Sequence, residues 1–124
     1  MPKYEEEYYR VINVGGVIQI RNTDSDEKMF AANNVFKSKE VADKVAKSTK
    51  LHWLLWRLRE KYCPDYEFML DKANYTLLYS RQEKEWGYNS WNTWDFISPC
   101  FDKESVHKAV DYLNSHPELW EDLI

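Results

Sequence analysis

Residues 38–62, Ser38-Lys-Glu-Val-Ala-Asp-Lys-Val-Ala-Lys-Ser-Thr-Lys-Leu-His-Trp-Leu-Leu-Trp-Arg-Leu-Arg-Glu-Lys-Tyr62, carry the clearest periodicity in the chain. Val41, Val45, Ser48, Leu51 and His52, Leu55, Leu58 and Tyr62 fall on one stripe at helical spacing, with Lys44, Lys47, Lys50, Arg57 and Lys61 roughly opposite. Trp53 and Trp56 fall on the flanks and Leu54 among the lysines. Pro64 ends the helix, because proline lacks an amide proton and disfavours helical geometry in the residue before it.

β-like sequence lies on both sides of this helix. Tyr8 to Asn22 reads as a hairpin about Gly15-Gly16, since glycine takes the positive φ of a two-residue turn without penalty. That turn pairs Val14 with Val17, Asn13 with Ile18, Val11 with Ile20 and Tyr9 with Asn22, and sets Arg10 opposite Arg21. Asn74 to Ser80 reads as a strand with Tyr75, Leu77 and Tyr79 on one side, followed by a charged turn, Arg81 to Glu85. Short strands are expected at Trp86–Tyr88 and Trp94–Ile97, separated by a polar bend, Asn89 to Thr93. Asp102 caps a second helix running to about Asn114, with Phe101 and Val106 spaced as a hydrophobic staple. Ser115 and Glu118 form a capping box for a last short helix.

The expected fold is α+β: an antiparallel sheet of the N-terminal hairpin and the C-terminal strands, packed by one long helix and one or two shorter ones. Phe36, Val41 and Val45 superimpose without a gap on Phe101, Val106 and Val110, so a duplicated ββα unit stands beside chance similarity of two strand-to-helix junctions. The 124 residues, 44% apolar and 31% charged, fit one globular domain, 1–124.

Charge is segregated. The chain carries net −4, but residues 1–36 hold four basic and six acidic side chains, residues 37–63 eight and three, and residues 64–124 five and twelve. An acidic balance argues against a protein whose main task is to coat nucleic acid. Cys63 and Cys100 have no metal-ligand spacing and fit a reduced intracellular protein or one disulfide. The start lacks signal-peptide character, and no apolar run approaches the ~20 residues of a membrane span, so a cytoplasmic protein is expected.

No nucleophile elbow, zinc-protease motif, phosphate loop or calcium loop occurs. His52 reads as a boundary histidine, His107 as a helix-surface partner of Glu104 or Asp111, and His116 as local structure at a helix start. Cys100, two residues before a helix start, has the one hint of an activated thiol, with no base placed beside it. The expected protein is not an enzyme and has no metal or cofactor.

Aromatic residues make up 16% of the chain. Tyr9, Phe36, Tyr62, Tyr75 or its neighbours, Phe101 and Tyr112 have core-type spacing, whereas Trp86, Tyr88, Trp91 and Trp94 cannot all face one core, because a strand buried on one side hides alternate residues. Two readings follow: two rings buried with two covering sheet edges, or a displayed binding patch for a basic partner formed by Glu83, Glu85, Trp86, Tyr88, Trp91 and Asp95. The alternative site is the helix face of Lys44, Lys47, Lys50, Arg57 and Lys61, whose cations could track phosphates.

Tyr8-Tyr-x-Val-x3-Gly-x-Val-Ile18, Asn33-Asn-Val-Phe-Lys-Ser-Lys-Glu-Val-Ala42 and Ser98-Pro-Cys-Phe-Asp-Lys-Glu-Ser-Val-His-Lys-Ala109 together resemble small accessory proteins of phages and prophages of low-GC Gram-positive bacteria. Val41 and Ser105 depart from that pattern, which usually carries glutamate there. The class includes anti-CRISPR inhibitors of Cas9-type effectors, commonly small, acidic and non-enzymatic. The resemblance implies a protein of the host bacterial cytoplasm that blocks a basic, nucleic-acid-handling surface of a nuclease effector. A nucleic-acid-binding accessory protein is the alternative. A monomer and a homodimer are both compatible with the wide apolar arc of the long helix.

Overall fold

A computed structural model describes residues 7–11, 17–21, 35–94 and 98–124. Its elements are strands β1 (Glu7–Val11), β2 (Val17–Arg21) and β3 (Val35–Phe36), helix α1 (Lys39–Tyr62), strands β4 (Asn74–Ser80) and β5 (Glu85–Trp91), helix α2 (Lys103–Ser115), and single 3-10 turns at Pro117–Leu119 and Glu121–Leu123. The fold is α+β. Two compact units divide the chain inside α1, between Lys50 and Leu51.

In the first unit, β1 lies between β2 and β3, antiparallel to both. Val11 pairs with Val17, Arg10 with Ile18 and Tyr8 with Ile20, three residues out of the expected register. The described pairing ends at Val11 and Val17, and the expected Gly15-Gly16 turn lies outside the described residues. The shift also replaces the Arg10–Arg21 opposition with Glu7 across from Arg21, removing the like-charge conflict. Ser38 starts α1 by accepting the Val41 N–H on its hydroxyl at 3.3 Å. Val35, Ala42 and Ala46 are buried here, while Val41 is exposed.

The second unit contains the larger described core. Leu54, Leu55 and Leu58 of α1 pack with Leu77, Trp86, Phe101, Val106, Ala109, Leu113 and Trp120. Leu54 is therefore a core residue and not a member of the lysine face. The buried side of this half-helix is the arc of Leu54, Leu55 and Leu58, with Leu51 and Tyr62 packed at its margin.

Both ends of α2 follow local chemistry. Asp102 accepts the Ser105 N–H at 2.8 Å, and Phe101 and Val106 are fully buried, as a staple requires. Ser105 then donates its hydroxyl to the Tyr62 carbonyl at 3.0 Å, joining the end of α1 to the start of α2. The capping box at Ser115 does not form. Ser115 is still helical, and Pro117 starts the next turn, with His116 stacked on Tyr112 at 4.3 Å between ring centres.

The hairpin and the C-terminal strands belong to different sheets, since β4 and β5 pair only with each other among the named strands. The duplicated pattern survives as an order of elements but not in burial. Phe101 and Val106 are buried completely, whereas Phe36 is half-buried and Val41 is exposed.

Candidate functional site

The register of β4 and β5 sets the geometry of the candidate patch. Ser80 pairs with Glu85, Tyr79 with Trp86, Leu77 with Tyr88, Tyr75 with Ser90 and Asn74 with Trp91. One seven-residue strand thus replaces the expected short strand and polar bend. Trp94 lies beyond β5, and the Trp94–Ile97 strand falls on residues 95–97, outside the described residues. Polar residues are accommodated because β5 is an edge strand, and Asn74 fastens its far end by donating its side-chain amide to the Trp91 carbonyl at 3.2 Å.

Strand alternation places Glu85, Gly87, Asn89 and Trp91 on one face and Trp86, Tyr88 and Ser90 on the other. Trp86, 5% exposed, belongs to an aromatic cluster with Tyr79 and Trp120, at 5.4 and 5.9 Å between ring centres. It is a core residue and leaves the displayed set. Tyr88 is 42% exposed and rests on His107 of α2 at 4.7 Å. Trp91 and Trp94 are 41% and 74% exposed. Asp95 lies outside the described residues.

Glu83 and Glu85 are exposed at the hairpin tip, where the Ser80 carbonyl accepts the Lys84 N–H at 2.7 Å and Lys84 takes a left-handed φ of 56°. The hydrogen bond that a protonated Glu85 donates to the Glu83 carboxylate, and then the charge of Glu83, push the Glu85 carboxyl above its ordinary pKa. A concavity beside the tip is lined by Leu78, Tyr79, Ser80, Glu83, Glu85 and Gly87. Glu85 and Trp91 are six residues apart, about 20 Å along a strand, so the patch is a strip and not a point.

The other end of the hairpin is organised by Asn74, a fully buried residue that sequence reasoning passed over. Its side-chain oxygen accepts from the Met69 N–H at 2.8 Å and from the Tyr66 hydroxyl, and its amide donates to the Met69 and Lys72 carbonyls, both at 2.9 Å. Burial first, then the Cys100, Asp102 and Cys63 groups, raise the Tyr66 hydroxyl above its ordinary pKa, against the lowering influence of Arg59. Cys63 and Cys100 are not joined in a disulfide and both are buried, which withholds Cys100 from reaction with solvent.

Asn114 was also missed. Its side-chain oxygen accepts the Trp86 N–H at 2.8 Å and its amide donates to the Trp86 carbonyl at 3.1 Å. No short-range pattern marks Asn114, which acts on chain brought close only by folding, and the partners of Asn74 at Tyr66, Met69 and Lys72 lie nearby in sequence but in an irregular segment without a motif.

The alternative basic face is partly neutralised. Lys44 pairs with Glu40 at 3.3 Å, neighbouring Lys39 pairs with Asp43 at 3.0 Å, and the Lys61 ammonium lies over the Tyr112 ring at 4.6 Å. Lys47, Lys50 and Arg57 are exposed. His52 accepts the Trp56 indole N–H at 2.9 Å, a local surface pair. His107 takes the Tyr88 ring, while Glu104 pairs with Lys108 at 3.3 Å.

Among the described residues there is no group of three or more His, Cys, Asp or Glu able to hold a metal, and no helix is long and apolar enough to cross a membrane. No family model matches the chain, no curated protein matches its sequence, and no solved structure matches its fold.

Proposed function

We propose that this chain is a protein-binding module that presents the β4–β5 hairpin to a basic surface of a partner. One observation carries the reading: Tyr88, Trp91 and Trp94 stand exposed along and just beyond a strand whose tip holds the exposed pair Glu83 and Glu85. Half-exposed rings on a held strand offer a large contact area at low entropic cost, and carboxylates steer a cationic partner. The charge of Glu83 already opposes ionisation of Glu85, so a cation placed beside them relieves that repulsion.

The resemblance to phage accessory proteins makes the basic, nucleic-acid-handling surface of a Cas9-type nuclease the candidate partner, with steric blockade as the mode of action. The test uses purified guide-free and guide-loaded effector with wild-type protein and the variants Trp91→Ala and Glu85→Lys, each checked for folding by circular dichroism. Binding with loss of cleavage, weakened at least about tenfold by either variant, supports the reading. Unchanged cleavage at excess protein removes the Cas9-type target. A salt-sensitive mobility shift with DNA or RNA, abolished by Lys47→Glu with Arg57→Glu, moves the function to the basic face of α1.

A further inference from the structure

Antiparallel strands direct their main-chain groups alternately toward and away from the neighbouring strand. Two observations fix that alternation here. The Tyr75 N–H and C=O reach outward from β4 to Phe101, at 3.0 and 2.8 Å, and those of Trp86 reach outward from β5 to the Asn114 carboxamide. Tyr75 pairs with Ser90 and Leu77 with Tyr88, so Tyr88 and Ser90 also face outward from β5. The Ser90 N–H is taken by the Asn89 side chain at 2.8 Å. The Tyr88 N–H and C=O and the Ser90 C=O have no partner among the described residues, and this part of the strand is exposed.

α2 runs beside this edge. His107, which touches Tyr88, and Asn114, which binds Trp86, are seven residues apart on one helical stripe, and exposed Asp111 lies between them at i+4 from His107. The outward edge of β5 therefore runs beside this stripe of α2, bonded to Asn114 at Trp86 and exposed from Tyr88 to Ser90. The Asn114 carboxamide already occupies the position of one peptide group of an added strand.

We infer that this edge takes an extended segment of a partner protein as a third strand beside β5, with a lysine or arginine of that segment facing Asp111. The inference names the mode of recognition used by the hairpin proposed above and rests on that reading. Strand addition of this kind draws affinity from main-chain hydrogen bonds and specificity from alternate side chains. Side chains directed toward α2 meet Tyr88, His107 and Asp111. Those directed to the other face pass Gly87, where a Cβ would meet nothing within 4 Å, leaving room for a bulky neighbour. A second copy fits less well, since two-fold pairing along β5 sets the acidic flank, Asp111 included, against itself.

The probe is a capped heptapeptide of alternating lysine and valine, with two further versions N-methylated on either the odd or the even residues. A strand presents only one of its two edges to β5. The expected result is that one methylated version binds at least about tenfold more weakly than the parent while the other binds equally, and that Asp111→Lys weakens the parent by a similar factor. Tyr88→Pro removes an outward N–H without touching the β4 ladder, and it should lose more affinity than Tyr88→Ala. If Tyr88→Pro fails to fold, the peptide series still decides the matter. No binding of the parent at millimolar concentration, equal binding of all three peptides, or a dimer of the protein that Tyr88→Ala dissociates overturns the inference. Equal binding of the three peptides with effector binding still lost in Glu85→Lys would leave the hairpin reading standing and remove strand addition alone.

Discussion

Asn74→Ala tests the assignment of a structural hub to a residue with no motif around it. The carboxamide is fully buried, accepts two hydrogen bonds and offers its two amide protons to the carbonyls of Met69, Lys72 and Trp91. At about 1 kcal/mol net for each of four hydrogens engaged, truncation should cost about 3–4 kcal/mol, because some of the released groups lie near enough to the surface to find water. Asn74→Asp separates hydrogen bonding from volume. It keeps the acceptor for Met69 and Tyr66 but turns a carboxylate toward three carbonyls, so at neutral pH it should be at least as destabilising. That loss should shrink as the pH falls toward about 4, since the buried site favours the protonated acid and raises its pKa in the folded state. Urea unfolding followed by tryptophan fluorescence and far-UV circular dichroism measures both variants against wild type. A cost below about 1 kcal/mol for Asn74→Ala, or an aspartate variant as stable as wild type at pH 7, would refute the hub.

Trp86→Ala should cost about 3–5 kcal/mol, whereas Trp91→Ala should cost no more than about 1, so thermal melts distinguish the buried ring from the displayed one. Similar melting temperatures for the two would undo that division of the aromatic strip. For Tyr66, whose folded pKa is raised, the contribution of the neutral hydroxyl is complete below the unfolded value of 10.0 and is lost as the pH rises through the higher folded value. Tyr66→Phe should therefore be less stable than wild type by about 1 kcal/mol at neutral pH, and the gap should narrow on the alkaline side of pH 10. A constant gap across that range would contradict the burial of the hydroxyl.

Elements written in short-range chemistry were legible in advance. β4 matches its expected bounds, and Asp102, Phe101 and Val106 start α2 as the cap and staple require, because those interactions lie within five residues. The register of β1 and β2 was not legible. Two glycines suggest a tight turn, but pairing is decided over the whole strand, and a shift of three residues removes an Arg–Arg opposition. The ends of β5 were hidden for a related reason, since the polarity of Asn89 and Ser90 reads as a bend until Asn74 is seen to hold Trp91 in the ladder.

The sequence by itself determined that this is an α+β protein with a long central helix, an acidic C-terminal half and more aromatic rings than one strand face can bury. Only the tertiary structure decided which rings those are. Trp86 is enclosed because Trp120, 34 residues later in the chain, closes over it, and Tyr88 and Trp91 stay exposed because no strand among the described residues covers the free edge of β5. Burial is a property of neighbours in space. Periodicity limits how many side chains share a face, but what covers that face comes from distant segments, and here Asn114 closes part of an edge whose remainder stays open to a partner.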